Sequence, residues 1–386
     1  MLKKNRLFTP GPTPLLPAVQ TALASSDLHH RTAGFRALYQ RVLADLQTFI
    51  GTRNEVIVLA ASGSGAMEAA VQNLTSSGDR VLVLSAGRFG ERWRDLTRTY
   101  GCQVDLVTAP YGQTFAMEEV RAALRPDTCT VFVQATESST GARHDLAGIA
   151  ALLRGRETLL VVDAITGLGT TALNVDGWGI DMIIGGSQKA LMAPPGVAYC
   201  AMSERAWQRM EQSRTPRYYF DLRKERKAAQ KGESAFTPAI AILAALGAAL
   251  DYLRQAGGGD LAAGRDLLIH NAETCAAMTR AAAQALGLKL FAAAAPAAAL
   301  TAIAAPEGID SSVIVKGVRE RFGAVLASGQ GDMKSQLFRV AHIGYFDYLD
   351  TIGVIAALEQ VLASLGLPVE FGAGVAAAQR VFAERA

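Results

Sequence analysis

The sequence has little of what marks several classes of protein. Its 386 residues include only 4 cysteines, which lie far apart, form no CxxC pair and have no histidine placed to complete a zinc site. We therefore expect a reduced, cytoplasmic protein without a bound metal. The formal net charge is only +3, so the charge balance gives no reason to expect nucleic acid or a membrane as a partner.

Long apolar runs are also missing. A transmembrane helix needs about 18 or more consecutive apolar residues, and no stretch approaches that length. The opening MLKKNRLFTPGPTP reaches prolines before an apolar run of signal-peptide length can form, so we expect no leader. What the chain does have is 50% hydrophobic residues, enough to bury a large core, and a length typical of two or three domains.

From about residue 55 the sequence alternates short apolar runs with helical patterns. The segments between the runs, such as AMEAAVQNL, repeat apolar residues at a spacing of three to four. The runs themselves have the length and the Val and Ile content of strands. They are EVIVLA, RVLVLS, CQVDLV, TVFVQA, TLLVVD, DMIIGG and GVAYCAM. This alternation predicts an α/β fold with a mainly parallel, seven-stranded sheet between helices.

The pattern changes beyond residue 240. A long helix is predicted for AIAILAALGAALDYLRQAG and a second one for residues 261–286. A smaller α+β unit follows, with strands at LKLFA, ALTAIAA and QLFRVAHIG and helices at SSVIVKGVRERFG and LDTIGVIAALEQVLASLG. We expect an N-terminal arm (1–16), a large domain (17–260) and a small domain (261–386) that the arm joins.

Two polar residues follow predicted strands in a way that suggests chemistry. Asp163 ends the run TLLVVD, and Lys189 comes just after DMIIGG and before the stiff turn APPG. In α/β sheets ligands bind beyond the carboxyl ends of the strands. A lysine amine can condense with the aldehyde of pyridoxal 5'-phosphate (PLP), and a carboxylate can keep its pyridine nitrogen protonated. Taken singly, a surface loop lysine and a turn or cap aspartate explain them as well.

A turn of small residues follows the first strand. Ser62, Gly63 and Ser64 open a helix and would present backbone N–H groups to an anion such as a phosphate. The same turn begins a GxG pattern, but Glu68 stands where a dinucleotide-binding loop needs its third glycine. Glu68 therefore weakens the case for a dinucleotide-dependent oxidoreductase, which is kept as an alternative because of the GxG pattern.

Five motifs in order give the chain a resemblance to a known family. The most specific is GSQKALMAPPG at 186–196, accompanied by FTPGPTP, SGSGAMEA, ESSTG and DAITGLG, and the likeness runs on to FRVAHIGYFD. The chain resembles a class V (fold type I) PLP-dependent aminotransferase of the alanine/serine:glyoxylate group. The resemblance implies a fold type I enzyme with a large cofactor domain and a smaller C-terminal domain.

The resemblance also implies roles for individual residues. Lys189 would hold PLP as a Schiff base and shuttle protons, Asp163 would pair with the pyridinium, and Arg339 would clamp the substrate carboxylate. The remaining cofactor-binding residues are implied to be Ser62, Gly63, Ser64 and Gln188 at the phosphate, Phe89 stacked on the ring, and Ser138 and Ile165 beside it.

The resemblance further implies a homodimer. Thr237, in SAFTPA, would reach the phosphate of the neighbouring subunit, although Ser234 and Ala235 stand where the family often has Thr and Pro. We interpret the basic, aromatic stretch 214–231 as a solvated and partly interfacial loop rather than a nucleic-acid site.

The predicted function is transfer of an amino group from alanine or serine to glyoxylate or pyruvate by a ping-pong mechanism. The alternatives are aspartate or a ureido amino acid as donor, a PLP lyase or cysteine desulfurase on the same scaffold, the oxidoreductase above, and a binding protein that has lost catalysis. The desulfurase alternative is disfavoured because Cys275 lies in a helical pattern rather than on a mobile loop.

Overall fold

A computed structural model describes residues 2–25 and 27–385. Its strands are β1 (Arg6–Phe8), β2 (Glu55–Leu59), β3 (Arg80–Ser85), β4 (Gln103–Thr108), β5 (Thr128–Gln134), β6 (Thr136–Glu137), β7 (Ala142–Arg143), β8 (Leu159–Asp163), β9 (Met182–Gly186), β10 (Ala198–Met202), β11 (Leu300–Ala304), β12 (Ala324–Ser328) and β13 (Leu337–Ala341).

The helices alternate with these strands as the sequence pattern predicts. They are α1 (Pro17–Ala24), α2 (Ala33–Ile50), α3 (Gly63–Leu74), α4 (Arg88–Thr99), α5 (Met117–Ala123), α6 (Leu146–Leu153), α7 (Glu204–Gln212), α8 (Leu222–Ala229), α9 (Ile240–Ala256), α10 (Leu261–Ala285), α11 (Ser311–Phe322), α12 (Tyr348–Ser364) and α13 (Ala373–Arg385). One turn of 3-10 helix covers Gly331–Met333.

The seven predicted strands form one sheet in the order β2-β10-β9-β8-β5-β3-β4. β10 runs antiparallel to both of its neighbours, and the pairs β9/β8, β8/β5, β5/β3 and β3/β4 are parallel. The mainly parallel, seven-stranded sheet is therefore confirmed.

The central strands are apolar throughout because both faces of the sheet are covered. In β8, Leu160 and Val162 face the side of the sheet where Phe49 of α2 packs. Val161 faces the other side, where it packs in one cluster with Met67 of α3 and Trp93 of α4. Sheets buried in this way show continuous hydrophobic runs rather than alternation. The helices α3 and α4 start just after β2 and β3, so their N-termini lie at the carboxyl edge of the sheet.

A second sheet of four strands has the order β1-β12-β13-β11. The N-terminal segment supplies β1, which pairs in parallel with β12 through Arg6 and Ala324. Phe8 then packs edge-on against Phe346, with ring centroids 4.8 Å apart. The start of the chain is thus built into the sheet formed by its C-terminal third.

Some local predictions for the C-terminal part were wrong. LKLFA is not a strand: only Leu290 pairs, in an isolated bridge to Ile303, because the chain leaves α10 through a left-handed Gly287 and turns again at 291–292. Strand β12 and helix α13 were not predicted. The stretch 214–231 contains helix α8, whose N-cap Asp221 accepts a hydrogen bond from Arg223 N, so it is not loop throughout.

Candidate active site

Lys189 lies in the turn after β9, under the N-terminal segment. Thr13 holds the turn in place, since its Oγ1 donates to the Lys189 carbonyl at 3.0 Å and its amide donates to the Gln188 carbonyl at 3.2 Å. The Lys189 ammonium donates to the carbonyl of Pro10. A Cβ on Gly11 would come within 2.8 Å of the Cδ and Cε of Lys189, so the segment approaches this closely only because residue 11 is glycine.

The charge on Lys189 is destabilised by its surroundings. Burial lowers the pKa of Lys189 to about 8, and the positive charges of Arg339 and Arg92 act in the same direction. The carboxylate of Asp163 partly opposes them. The amine is therefore much closer to its neutral, nucleophilic form at neutral pH than an exposed lysine would be.

Asp163 ends β8, next to the strand that leads into Lys189. Burial raises its pKa to about 6, while the hydrogen bond from Ile165 N to Oδ1, at 2.9 Å, acts against that rise. The carboxylate of Glu137 raises the pKa further, and Lys189 lowers it. Asp163 is thus ionised at neutral pH. Within residues 2–25 and 27–385 its second oxygen accepts no hydrogen bond, which leaves it free for a ligand.

The N-terminus of α3 lies beside these residues without a cap. Ser62 makes no side-chain capping bond, and in the described chain the amides of Gly63 and Ser64 have no acceptor. Ile165 packs on Gly63 so closely that a Cβ there would lie 3.1 Å from its Cγ1. Free amides at the start of a twelve-residue helix favour an anion.

Phe89 lies in the first turn of α4. Its amide donates to Glu137 at 3.1 Å, and the guanidinium of Arg92 lies 4.8 Å from its ring centroid. Arg92 also donates to the hydroxyl of Ser64 at 2.9 Å. Arg92 therefore connects two residues that the sequence assigned to the cofactor.

Arg339 comes from β13 of the other sheet and is only 4% exposed. Its Nη1 donates to the Ser138 carbonyl and its Nη2 to the Ser328 carbonyl, each at 2.6 Å. Nε is buried without a partner among the described residues. Burial lowers the pKa of Arg339 to about 10 and Glu137 opposes this, so the guanidinium stays charged at neutral pH.

These groups fit PLP by their chemistry. The free oxygen of Asp163 suits a pyridinium N–H, and the uncapped start of α3 suits a phosphate. The side chain of Gln188 forms no hydrogen bond within the part of the chain that the structure describes, and its NH2 group is a donor that suits a phosphate oxygen. A lysine of lowered pKa completes a set suited to an aldehyde-bearing, anionic, aromatic cofactor.

Not every predicted residue is brought to this place. Thr237 is exposed, and the side chain of Lys189 donates to the carbonyl of Pro10 rather than to Thr237 of the same chain. His342 is buried and contacts the Thr301 hydroxyl at 3.0 Å. His29 is exposed and His30 half-buried, and no group of three or more His, Cys, Asp or Glu residues in the described chain could hold a metal.

Sequence reasoning missed three residues of the site. Gly11 lies in the motif FTPGPTP, Glu137 in the motif ESSTG, and Arg92 three residues after Phe89, but none of the three was given a role. Their contacts join segments that are distant in the sequence, so local patterns do not reveal them. The only signal in the sequence was that each residue lies in or near a segment already linked to the site.

Comparisons with known proteins agree with this geometry. The family model described as Aminotransferase class-V matches residues 18–332. A protein of Anabaena cylindrica named soluble hydrogenase 42 kDa subunit is 38% identical, over 98% of this chain and 99% of its own length. The serine–glyoxylate aminotransferase of Methylorubrum extorquens is 31% identical over 99% of this chain and 96% of its own.

Two further matches carry names of enzymes that act on amino compounds. The L-aspartate–glyoxylate aminotransferase of Paracoccus denitrificans is 30% identical over 98% of this chain and 96% of its own. The solved structure of the pyridoxamine–pyruvate aminotransferase of Mesorhizobium loti superposes with a TM-score of 0.92 at 26% identity, covering 100% of this chain and 98% of that one. No helix of the described residues is long and apolar enough to cross a membrane.

Proposed function

The chain belongs to the class V aminotransferase family, and from that premise we propose that it is a transaminase that holds PLP on Lys189 and moves an amino group from alanine or serine to glyoxylate or pyruvate. The observation that carries the proposal is the convergence of Lys189, Asp163 and Arg339. A lysine of lowered pKa in the turn after β9, an ionised carboxylate with a free oxygen at the end of β8 and a buried guanidinium in the middle of β13 come together in one place.

PLP, when bound, supplies an aldehyde that combines with amines and a ring that accepts electron density from the substrate. The protein supplies the rest. Lys189 would hold the cofactor through its amine, and the same amine, when free, would take up and return the proton of the substrate α carbon. Asp163 would accept a hydrogen bond from the pyridine nitrogen and stabilise its positive charge. The residues at the start of α3, with Gln188, would hold the phosphate, and Phe89, Ser138 and Ile165 would line the ring.

Arg339 orients the substrate through its carboxylate. Its two carbonyl bonds fix the plane of the guanidinium, and a planar donor set suits a carboxylate held by two parallel bonds. Donor and acceptor acids use the same clamp in turn, so the two half-reactions follow ping-pong kinetics.

The neighbouring arginines favour a donor with a single carboxylate. Arg92 is already bound to Ser64 and stacked on Phe89, and Arg88 is half-exposed and paired with Glu91 at 2.7 Å. Aspartate would need a second cation for its side chain. We therefore place alanine and serine ahead of aspartate or a ureido amino acid, in line with the serine–glyoxylate relative.

The cysteines do not support a desulfurase. Burial raises the pKa of Cys275 to about 11 and that of Cys200 to about 12, and it also raises the pKa of Cys102 and Cys129. A thiol that stays protonated is a poor nucleophile. Some relatives are named as hydrogenase subunits and others as aminotransferases. We propose the aminotransferase activity for this chain, because the site residues described above suit that chemistry.

We propose further that the enzyme is a cytoplasmic homodimer with Thr237 contributed across the interface. The segment that carries Thr237 holds Phe236 stacked on Tyr219, with ring centroids 4.8 Å apart, and Tyr218 beside them is 74% exposed. Exposed aromatic clusters of this kind suit a subunit contact. We also propose a division into an arm (1–16), a large domain (17–260) and a small domain (261–386). It is based on the two separate sheets of seven and four strands.

The test is a spectroscopic one on the purified protein. Wild type supplied with PLP is expected to show the visible band of a lysine-linked cofactor, and alanine or serine is expected to convert it; Lys189→Ala should show neither the band nor turnover. A wild-type protein without the band, or a Lys189→Ala variant of normal activity, would overturn the proposal. The donor that converts the band fastest identifies the substrate.

A further inference from the structure

Glu137 is a buried carboxylate that the mechanism above does not use. It follows β5, lies in the short strand β6 and is 0% exposed. A carboxylate placed so deeply is costly unless hydrogen bonds satisfy it.

Four donors converge on this carboxylate. Oε2 accepts the amides of Phe89 and Gly90, each at 3.1 Å. Oε1 accepts the Ser139 amide at 3.1 Å and the Ser139 hydroxyl at 2.6 Å. Three of these partners are backbone N–H groups, which can only donate, so the ionised form matches the arrangement best.

The amides of Phe89 and Gly90 belong to the first turn of α4, which has no cap of its own. The residue at the N-cap position is Gly87, and a Cβ there would lie 2.5 Å from the Glu137 Cδ. The Ser139 hydroxyl accepts the amide of Arg88 at 3.2 Å. Glu137 and Ser139 thus cap α4 from another segment of the chain and place a negative charge where the helix dipole favours one.

The same contacts fix two parts of the active site. On one side, Glu137 sets the start of the helix that carries Phe89 and Arg92. On the other side, it holds the 137–139 turn, and the Ser138 carbonyl in that turn accepts from Arg339 at 2.6 Å. One carboxylate therefore lies between the residue expected over the cofactor ring and the residue expected at the substrate carboxylate.

We infer that Glu137 is a positioning residue that couples the ring-covering helix α4 to the carboxylate clamp of Arg339. This inference rests on the proposed function, since it assigns the two ends of the connection by that function. Glu137 touches neither cofactor nor substrate; it acts through Phe89 and through the Ser138 carbonyl.

The variant Glu137→Gln keeps the size of the side chain but replaces one acceptor oxygen with a donor NH2 group. Whichever way the amide turns, two of the four donors lose their acceptor. We expect the KM for the amino donor to rise about tenfold or more, because Arg339 loses both a fixed anchor and a nearby negative charge. The circular dichroism of the bound cofactor in the visible region should weaken as Phe89 loses its position.

Asp181→Asn provides the matched control. Asp181 is also buried and accepts one backbone amide, that of Leu160 at 2.9 Å, and one serine hydroxyl, that of Ser203 at 2.7 Å. It precedes β9 and so lies at the opposite edge of the sheet from Lys189. Both variants should lower the melting temperature, and only Glu137→Gln should change KM and dichroism. Equal KM values and equal dichroism in the two variants would overturn the inference.

Ser139→Ala covers the case in which Glu137→Gln does not fold. It removes one hydroxyl and leaves the carboxylate, so KM should rise about threefold; an unchanged KM would contradict the coupling. Amide hydrogen exchange of Phe89 and Gly90, which needs no cofactor, should be faster in Glu137→Gln, and unchanged exchange would also overturn the inference. A wild type without the visible band instead contradicts the proposed function, so the two failures are distinguishable.

Discussion

Asp163 at the end of β8 and Lys189 in the turn after the neighbouring strand β9 interact through their charges, and the charge of each stabilises the charge of the other. Asp163 acts to raise the pKa of Lys189, and Lys189 acts to lower the pKa of Asp163, while burial pushes both in the opposite directions, to about 8 and about 6. At a pH between these two pKa values, Asp163 is mostly anionic, and Lys189 is mostly cationic but easily deprotonated. In the proposed function, that pairing would supply a carboxylate for the pyridinium and an amine for the aldehyde.

The first prediction concerns the pH dependence of cofactor attachment. The neutral amine of Lys189 is the nucleophile, so the rate at which the cofactor-free protein takes up PLP should rise with pH and level off above about 8. Stopped-flow measurement of the visible band gives the midpoint. A midpoint near 10.5, the ordinary value for lysine, would show that burial does not act on this amine.

Asp163→Asn separates the two members of the pair. The amide keeps the shape but not the charge, so turnover should fall about 10²–10³-fold through loss of the pyridinium partner. Lys189 remains, so the visible band should still form, and the midpoint of its formation should move to lower pH because Asp163 no longer raises the lysine pKa. Retention of wild-type turnover would remove Asp163 from the site.

The strands of the large sheet could be predicted because six of them are short, mostly apolar runs, and the edge strand β4 (QVDLVT) nearly alternates polar with apolar residues. The positions of Asp163 and Lys189 could be predicted for the same reason, since ligands of such a sheet bind beyond the carboxyl ends of its strands. The strands of the second sheet are as short as most strands of the large sheet, so length is not the difference. β12 begins two residues after the last residue of α11, and its pattern merges with that of the helix. LKLFA has the composition of a strand, but only Leu290 finds a partner, which the local sequence does not show.

Contacts between distant segments could not be predicted. Gly11 lies beside Lys189, and Arg92 bonds to Ser64, only after the chain has folded. A glycine in a proline-rich segment and an arginine on an amphipathic helix have ordinary local explanations. The cap of α4 is the clearest example. The residue at its N-cap position is Gly87, which has no side chain to cap the helix, so the local sequence does not show where the cap comes from.

Gly11→Ala tests the approach of the N-terminal segment to Lys189. The added methyl group would overlap the lysine side chain, with its Cδ and Cε at 2.8 Å, and overpacking of this kind costs about 1–3 kcal/mol. Affinity for PLP should therefore fall about tenfold in an equilibrium titration. Gly259→Ala is the control, because Gly259 also has a positive φ, +104° against +142°, but a Cβ there meets nothing within 4 Å. Equal losses in both variants would assign the effect to the backbone alone.

Arg339→Lys tests the carboxylate clamp. A single ammonium cannot replace the two bonds to Ser138 and Ser328 and also present paired donors to a substrate. The KM for the amino donor should rise about tenfold to a hundredfold, with the visible band of the cofactor unchanged. If KM stays at the wild-type value, the substrate carboxylate binds elsewhere.

The last prediction concerns Thr237, whose exposed position in its own chain leaves the partner's site as its proposed place. Thr237→Glu would put a carboxylate beside the phosphate and, by like-charge repulsion, should inactivate the homodimer. Mixed with Lys189→Ala dimers, which are inactive for a different reason, it should form heterodimers with one intact site each. That site combines Lys189 from one chain with Thr237 from the other, and random exchange should restore about a quarter of wild-type activity. Continued inactivity after verified subunit exchange would mean that Thr237 acts within its own chain or not at all.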